Sequence, residues 1–145
     1  ITLSADAGRL ILTHELQDRI DSDNIEDVTW FGFGGNVEGG ANADGVAVND
    51  LPGTDVVNFT PNFSSSTDST APNNSPDQLT IRGTAGVDHI TVSGSGANIT
   101  IAGLTPTVTP VLLNTQDTIQ IDTLDGRDTA DSSHLQHALV QLLVL

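Results

Sequence analysis

Gln78-Leu79-Thr80-Ile81-Arg82-Gly83-Thr84-Ala85-Gly86-Val87-Asp88-His89-Ile90-Thr91-Val92 holds the beat on which the fold reading turns. Two apolar–Thr–apolar runs, 79–81 and 90–92, flank a glycine-rich link. Alternation with period two gives a strand one buried face, and Gly83-Thr84-Ala85-Gly86 is turn chemistry. The unit recurs at Ile99-Thr100-Ile101, around Val108 and at Ile119-Gln120-Ile121, with a further beat at Leu139. Leading residues 79, 90, 99, 108 and 119 stand 11, 9, 9 and 11 apart. Links such as Ser93-Gly94-Ser95-Gly96 and Gly103-Leu104-Thr105-Pro106 separate them.

Short strands at this spacing predict an all-β fold with one of two architectures. A parallel β-solenoid or β-roll-like coil places two strands on each turn of roughly 20 residues and stacks like on like. An antiparallel β-sandwich uses the same spacing as a meander. The coil is favoured, because repeated Asp-x-apolar steps into strands imply a path that returns to the same geometry.

Working toward the N-terminus, Ile1-Thr2-Leu3 and Arg9-Leu10-Ile11-Leu12-Thr13 read as strands joined at Asp6-Ala7-Gly8. Residues 18–27 form an acidic stretch. Val28 to Phe33 contains Trp30, Phe31 and Phe33, the expected centre of aromatic packing. Residues 45–51 and 55–60 read as strands, and 61–77, rich in Ser, Thr, Asn and Pro, as a mobile excursion loop. At the far end, Ser132-Ser133 before Leu135, Ala138, Leu139, Leu142 and Leu143 fits a capped helix, whereas the beat favours a strand at 139–143. The whole reads as a single β-rich domain, 1–145, cut from a larger protein. The chain opens with Ile1 and has no signal-peptide pattern, and its apolar run at 138–145 is too short to span a bilayer.

Composition narrows function. Nineteen acidic residues against four basic ones give a net charge of −15, which repels phosphate backbones and anionic lipid surfaces. Nucleic-acid partners and membrane insertion are therefore not expected. Such a surface attracts cations, and Ca²⁺ is the hard, oxygen-seeking one found outside cells. With no cysteine, disulfides, thiolate zinc sites and thiol nucleophiles are ruled out. Aromatic residues make up only 3%, so the core must rest on Val, Ile and Leu.

One motif carries chemistry. Gly83 to Thr91 matches the nonapeptide G-G-x-G-x-D-x-U-x (U apolar) except at the second glycine, and Gly39 to Ala47 matches except that Asn42 replaces a glycine. The shorter G-x-D-x-U recurs at Gly53/Asp55/Val57 and Gly126/Asp128/Ala130, and Asp117-Thr118-Ile119 keeps only the last step. Glycines bend the chain and expose carbonyls, while the aspartate adds a carboxylate and the next apolar residue anchors the strand. Gly83, Gly86, Asp88, Asp44, Asp55, Asp117, Gly126 and Asp128 are thus the candidate calcium residues. One nonapeptide fills only part of the calcium shell, so a second must stack on it. Tandem spacing puts that layer at 102–110, which has no acidic residue.

Other patterns read as structural. Asp21-Ser22-Asp23 evokes an EF-hand, but Ile25 and Glu26 occupy the ligand and glycine places, leaving a solvated acidic loop. His134 and His137 lack a third ligand, and His14 and His89 stand alone. Asp88 and His89 are neighbours in a strand and face opposite ways, so they form no catalytic pair. Sequons at Asn58, Asn62, Asn73 and Asn98 are expected by chance in a chain rich in Asn, Ser and Thr. No catalytic residue is identified.

The stretches 77–92 and Asp117-Thr118-Ile119-Gln120-Ile121-Asp122-Thr123-Leu124-Asp125-Gly126-Arg127-Asp128-Thr129-Ala130-Asp131-Ser132-Ser133 resemble segments of large secreted bacterial proteins with hemolysin-type (RTX) calcium-binding repeats. Residues 48–56 and 1–9 also look like parts of such segments. The resemblance implies secretion or a cell-surface location, calcium ions and flanking domains of the parent protein as partners, and a structural role without catalysis. Departures include Val87, His89, Arg127 and the 134–145 ending, and no tandem array follows. Two alternatives belong to other classes. A β-helix polysaccharide lyase or epimerase would need Asp, His and basic residues on one outward ladder, yet only Arg9, Arg19, Arg82 and Arg127 are basic. An adhesive module would bind glycan or protein.

Overall fold

Strand formation follows the alternation closely. In the computed structural model, which describes residues 1–14, 18–22, 25–31, 43–64, 70–137 and 140–145, Leu79 and Ile81 face a core while Gln78 and Arg82 are exposed. All regular elements among the described residues are β-strands. They are β1 (Thr2–Asp6), β2 (Arg9–His14), β3 (Asp18–Ser22), β4 (Asp27–Phe31), β5 (Gly45–Asn49), β6 (Asn58–Asn62) and β7 (Gln78–Arg82). There follow β8 (His89–Ser95), β9 (Asn98–Ala102), β10 (Thr107–Val108), β11 (Thr118–Asp122), β12 (Thr129–Asp131), β13 (Leu135–Gln136) and β14 (Gln141–Val144).

These strands build two mixed, open sheets. The first runs β14-β11-β7-β5-β1-β2-β3; the second runs β12-β8-β9-β10-β6-β4, with β13 also on β8. From β4 to β8 the chain alternates between sheets at every strand. In the first sheet β1, β5, β7, β11 and β14 pair in parallel, so that Val46, Leu79, Ile119 and Leu142 fall in one row and Val48, Ile81, Ile121 and Val144 in the next. Both sheets contribute to one apolar cluster, the second through Phe59, Ile90, Val92, Ile99 and Ile101. Val, Ile and Leu at fixed register fill most of this interior, with Phe59 and Phe63 fully buried among them.

Antiparallel pairs interrupt the parallel pattern at two places. β1, β2 and β3 form a meander that opens with the turn at Ala7-Gly8, both at positive φ. β8 turns back on β9 through Gly96-Ala97, and Gly96 at φ 61° supplies the left-handed conformation a two-residue hairpin needs. β10 then returns parallel to β6. This β9–β10 excursion corrects the expected layer spacing: the strand stacked on β8 is β12, with His89 beside Thr129 and Ile90 beside Ala130, and not residues 102–110.

Other expectations meet the structure unevenly. The acidic stretch contributes strand β3, paired with β2, and is not simply a solvated loop. Within 61–77, Pro61 and Asn62 end β6, and Phe63, Ser64, Asn73, Ser75 and Asp77 are buried. At the C-terminal end the described residues are strands β13 and β14, not a helix. The aromatic Phe33, the beat at Leu139 and Gly39 to Asn42 of the second nonapeptide lie outside the described residues.

Ile119 is fully buried between β7 and β14. Replacing it by alanine is expected to cost roughly 2–5 kcal/mol in urea denaturation, because the rigid neighbours cannot collapse onto the void. Val57, 58% exposed, is the contrast: its alanine variant should stay within about 0.5 kcal/mol of the parent.

Candidate functional site at the stacked aspartate corners

Asp44, Asp77, Asp88, Asp117 and Asp128 each occupy the position immediately before a strand, and each is followed two residues on by a core-facing side chain. At that position a backbone N–H has left the regular sheet pairing and needs an acceptor. For Asp44, Asp77 and Asp88 the carboxylate before a neighbouring strand provides it, and for Asp117 the Asn114 carbonyl does. Ahead of the first sheet, Asp44 N–H donates to Asp77 Oδ1 at 2.8 Å, and Asp77 N–H donates to Asp117 Oδ1 at 2.9 Å. Asp117 Oδ2 accepts from Asn114 N–H at 2.6 Å. Ahead of the second sheet, Asp88 N–H donates to Asp128 Oδ1 at 3.0 Å. The main chain reinforces both stacks: Gln78 N–H reaches Asp44 O, Thr118 N–H reaches Asp77 O, and Thr129 N–H reaches Asp88 O.

The second corner contains the nonapeptide. Thr84 donates twice to the Asp88 carboxylate, from its N–H to Oδ2 at 2.7 Å and from its hydroxyl to Oδ1 at 3.0 Å. Gly86 N–H in turn donates to the Thr84 hydroxyl at 3.0 Å. Gly126 lies against the Gly86 carbonyl at φ 149°, where an added Cβ would collide with that oxygen. Gly83, Gly86, Asp88, Gly126 and Asp128 are therefore brought together. Their carboxylates meet through the Asp88 N–H bond to Asp128 Oδ1, and the carbonyls of Gly86 and Thr123 lie close against Gly126 and Gly83.

The remaining sequence candidates separate from this group. Asp44 and Asp117 belong to the first corner, where backbone N–H groups engage the Asp117 carboxylate. Asp55 is exposed in a turn held by Thr54, whose N–H and hydroxyl both donate to Leu51 O. β6 begins three residues after Asp55, and Val56, not Val57, enters the core. His89 is exposed, with Nδ1 2.8 Å from the Thr129 hydroxyl. His134 is also exposed, as is Asp131, whose carboxyl the N–H and hydroxyl of Ser133 hold below the usual range. Among the described residues no three His, Cys, Asp or Glu side chains converge as a metal-ligating group.

Asp77 is the site residue that motif reading missed. It has the Asp-x-apolar step, Asp77-Gln78-Leu79, but Ser75 stands where the motif has glycine. A second signal was available in Asn73 and Asn114, which lie four and three residues ahead of their aspartates. Each side-chain oxygen accepts a backbone N–H two residues on, and Asn114 Nδ2 donates to Asn73 O at 3.0 Å. Burial pushes the Asp77 carboxyl up to about 6, further raised by Asp117 and Asp44 and partly offset by the Asp44 N–H and the Asn73 amide. The Asn73 amide lies near Asp77 without completing a hydrogen bond to it. Asp44 and Asp117 are also raised, in both cases chiefly by burial.

No family model, curated protein or solved structure matches this chain.

Gly126→Ala should destabilise the fold by more than about 2 kcal/mol, since it combines a glycine-only φ with a clash against backbone. Gly45→Ala, with open space around its Cα and no positive φ, should be nearly neutral when thermal melts of the two variants and the parent are compared.

Proposed function

We propose that this chain is a non-catalytic structural segment of a secreted or cell-surface protein of the RTX type, wound as a β-roll-like coil and able to take Ca²⁺ weakly at its glycine–aspartate corner. The observation that carries the reading is the stack of Gly126-Arg127-Asp128 on Gly86-Val87-Asp88, joined by the Asp88 N–H bond to Asp128 Oδ1. Two copies of one short motif meet in adjacent layers although 40 residues separate them in sequence. A strand path that alternates between sheets from β4 to β8, with parallel pairing of β5, β7, β11 and β14, supports the coil.

Weak affinity follows from the donors. Both Asp88 oxygens already accept from Thr84, and Asp128 Oδ1 accepts from Asp88. A carboxylate oxygen keeps a second lone pair for a cation, so calcium would share these atoms with backbone amides. The chain's net charge of −15 draws cations toward the corner and disfavours nucleic acid as a partner. Among the described residues no helix is long and apolar enough to cross a membrane. In this reading the segment's partners are calcium ions and the flanking domains of its parent.

An adhesive role is the second reading, favoured by a shallow groove of about 350 Å³ on the outer face of the first sheet, lined in part by Gln78, Thr80, Arg82 and Gln120. Gln78 Nε2 donates to Gln120 Oε1 at 3.0 Å, leaving polar groups of the kind that meet sugar hydroxyls.

Calorimetric titration with Ca²⁺ tests the first reading. Millimolar calcium should raise the melting temperature by mass action, with about 2.7 kcal/mol gained when calcium is a hundredfold above Kd. Asp128→Asn should abolish most of that rise. An unchanged melting curve would remove calcium from the proposal and leave a bare spacer.

A further inference from the structure

β14 is the outermost strand of the first sheet, and it differs from the other strands that end a sheet in carrying no charge. The sequence of β3, at the opposite edge, includes Asp18, Arg19 and Asp21, while β4 and β12, which end the second sheet, include Asp27 and Asp131. Charged side chains on an edge keep a further strand from adding to it. From Ser132 to Leu145 there is no Asp, Glu, Lys or Arg, in a chain whose net charge is −15. Leu143, Val144 and Leu145 are 44%, 48% and 60% exposed, although Val144 stands in the row of the buried Val48, Ile81 and Ile121. Among the described residues, that row ends with its flank open.

The open edge presents a defined set of main-chain groups. Gln141 N–H reaches Asp117 O and Leu145 N–H reaches Ile121 O, so the odd-numbered residues of β14 turn toward β11. Alternation along a strand then directs the N–H and C=O of Leu142 and Val144 away from the sheet. Turned by a two-fold axis through Leu143, β14 of a second copy runs antiparallel to the first and sets Leu142 opposite Val144. Each such pair exchanges two hydrogen bonds, and Leu143 meets Leu143 at the closer, non-bonded position. The apolar rows of one copy run on into those of the other, in an isologous contact that closes on itself. The carboxylates that register the parallel strands stop short of this edge. Asp77 and Asp117 precede β7 and β11 and accept the N–H of the corner before, whereas Val140 precedes β14 and the Asp117 N–H turns to Asn114 O. A second copy also carries a charge of −15, and at β14 two copies meet without setting aspartates face to face.

We propose that β14 is a self-association edge, through which two copies of this chain pair antiparallel along Leu142 to Val144 and join their first sheets about a two-fold axis. The strand has four residues, and a contact between strands this short is smaller than the standard interface of about 1,600 Å². The dimer therefore forms reversibly and grows with protein concentration. Salt strengthens it: the Debye length is about 10 Å at 0.1 M ionic strength, and screening weakens the repulsion between two chains of charge −15. The Asp88–Asp128 corner takes no part in the pairing, so this inference does not rest on calcium uptake there.

The test is sedimentation velocity of the full chain over a range of concentrations at low and high salt, with EDTA present, for the parent, Leu143→Lys and Val57→Lys. Val57 is 58% exposed and lies outside β14, so its variant adds the same charge away from the edge. The parent and Val57→Lys should show a monomer–dimer equilibrium that moves toward dimer with concentration and with salt. Leu143→Lys sets two ammonium groups opposite each other at the axis and should stay monomeric over the same range. The chain has no cysteine, so Leu143→Cys places a single thiol at the axis. Oxidised glutathione should link it to its own copy, while Val57→Cys should stay unlinked, and this cross-link decides the matter should Leu143→Lys fail to fold. A parent that stays monomeric at high concentration and high salt overturns the proposal, as does a dimer that Leu143→Lys leaves intact or that Leu143→Cys does not link. Growth into oligomers larger than a dimer also overturns it, because two unlike edges pairing head to tail do not close.

Discussion

A backbone N–H at the last residue before β5, β7 and β8, accepted by the aspartate carboxylate that precedes a neighbouring strand, is the contact on which the corners of this protein depend. It is a charge-assisted bond, stronger than its neutral counterpart, and it sits where regular sheet pairing gives out. Asp77 and Asp88 each donate through the main chain and accept through the side chain, so the bonds link one strand's corner to the next. Asp44, Asp77 and Asp117 form one series, and Asp88 with Asp128 the other. Removing a rung would orphan an amide in one layer and a carboxylate in the next.

These bonds help a strongly acidic chain with few aromatic residues hold its strands in register. The interior is made of Val, Ile and Leu rows in fixed register, which supply apolar burial but little directional information. Register needs a polar contact that is satisfied in one alignment only, because a one-residue slip would turn each core-facing side chain outward. The aspartates meet that need: two residues after each, a side chain enters the core. Asp55 is the counterexample, since it stands three residues ahead of its strand and is exposed.

The two corners are chemically unlike despite their shared geometry. At Asp88–Asp128 the carboxylates are served by Thr84 and by backbone, and the tight glycines bring carbonyl oxygens close by. At the Asp44–Asp77 corner Asn73 and Ser75 precede a buried Asp77, and Asp44 Oδ2 and Asp77 Oδ2 have no hydrogen-bond partner. The glycine-rich turn thus ties the Asp88 carboxylate to Thr84, while the Asn/Ser turn leaves Asp77 the more fully buried of the two.

Much of this was legible in the residues. The all-β class, the strands at 79–81, 90–92, 99–101 and 119–121, and the turn at Gly83 to Gly86 follow from period-two alternation and turn chemistry, which are local properties of the chain. The pairing of Gly83–Asp88 with Gly126–Asp128 was not legible. Nothing within the motif reveals that a β9–β10 excursion postpones the next layer, so tandem spacing pointed to 102–110. Asp77 was hidden for a related reason: its lack of a flanking glycine matters to a motif but not to a hydrogen bond from the adjacent layer. Sequence by itself determined where strands begin and which faces they bury, because those depend on residues a few positions apart. Which layer lies on which, and hence which carboxylates share a corner, was decided by tertiary structure alone, since those contacts join residues 33 to 40 positions apart whose meeting depends on everything folded between them.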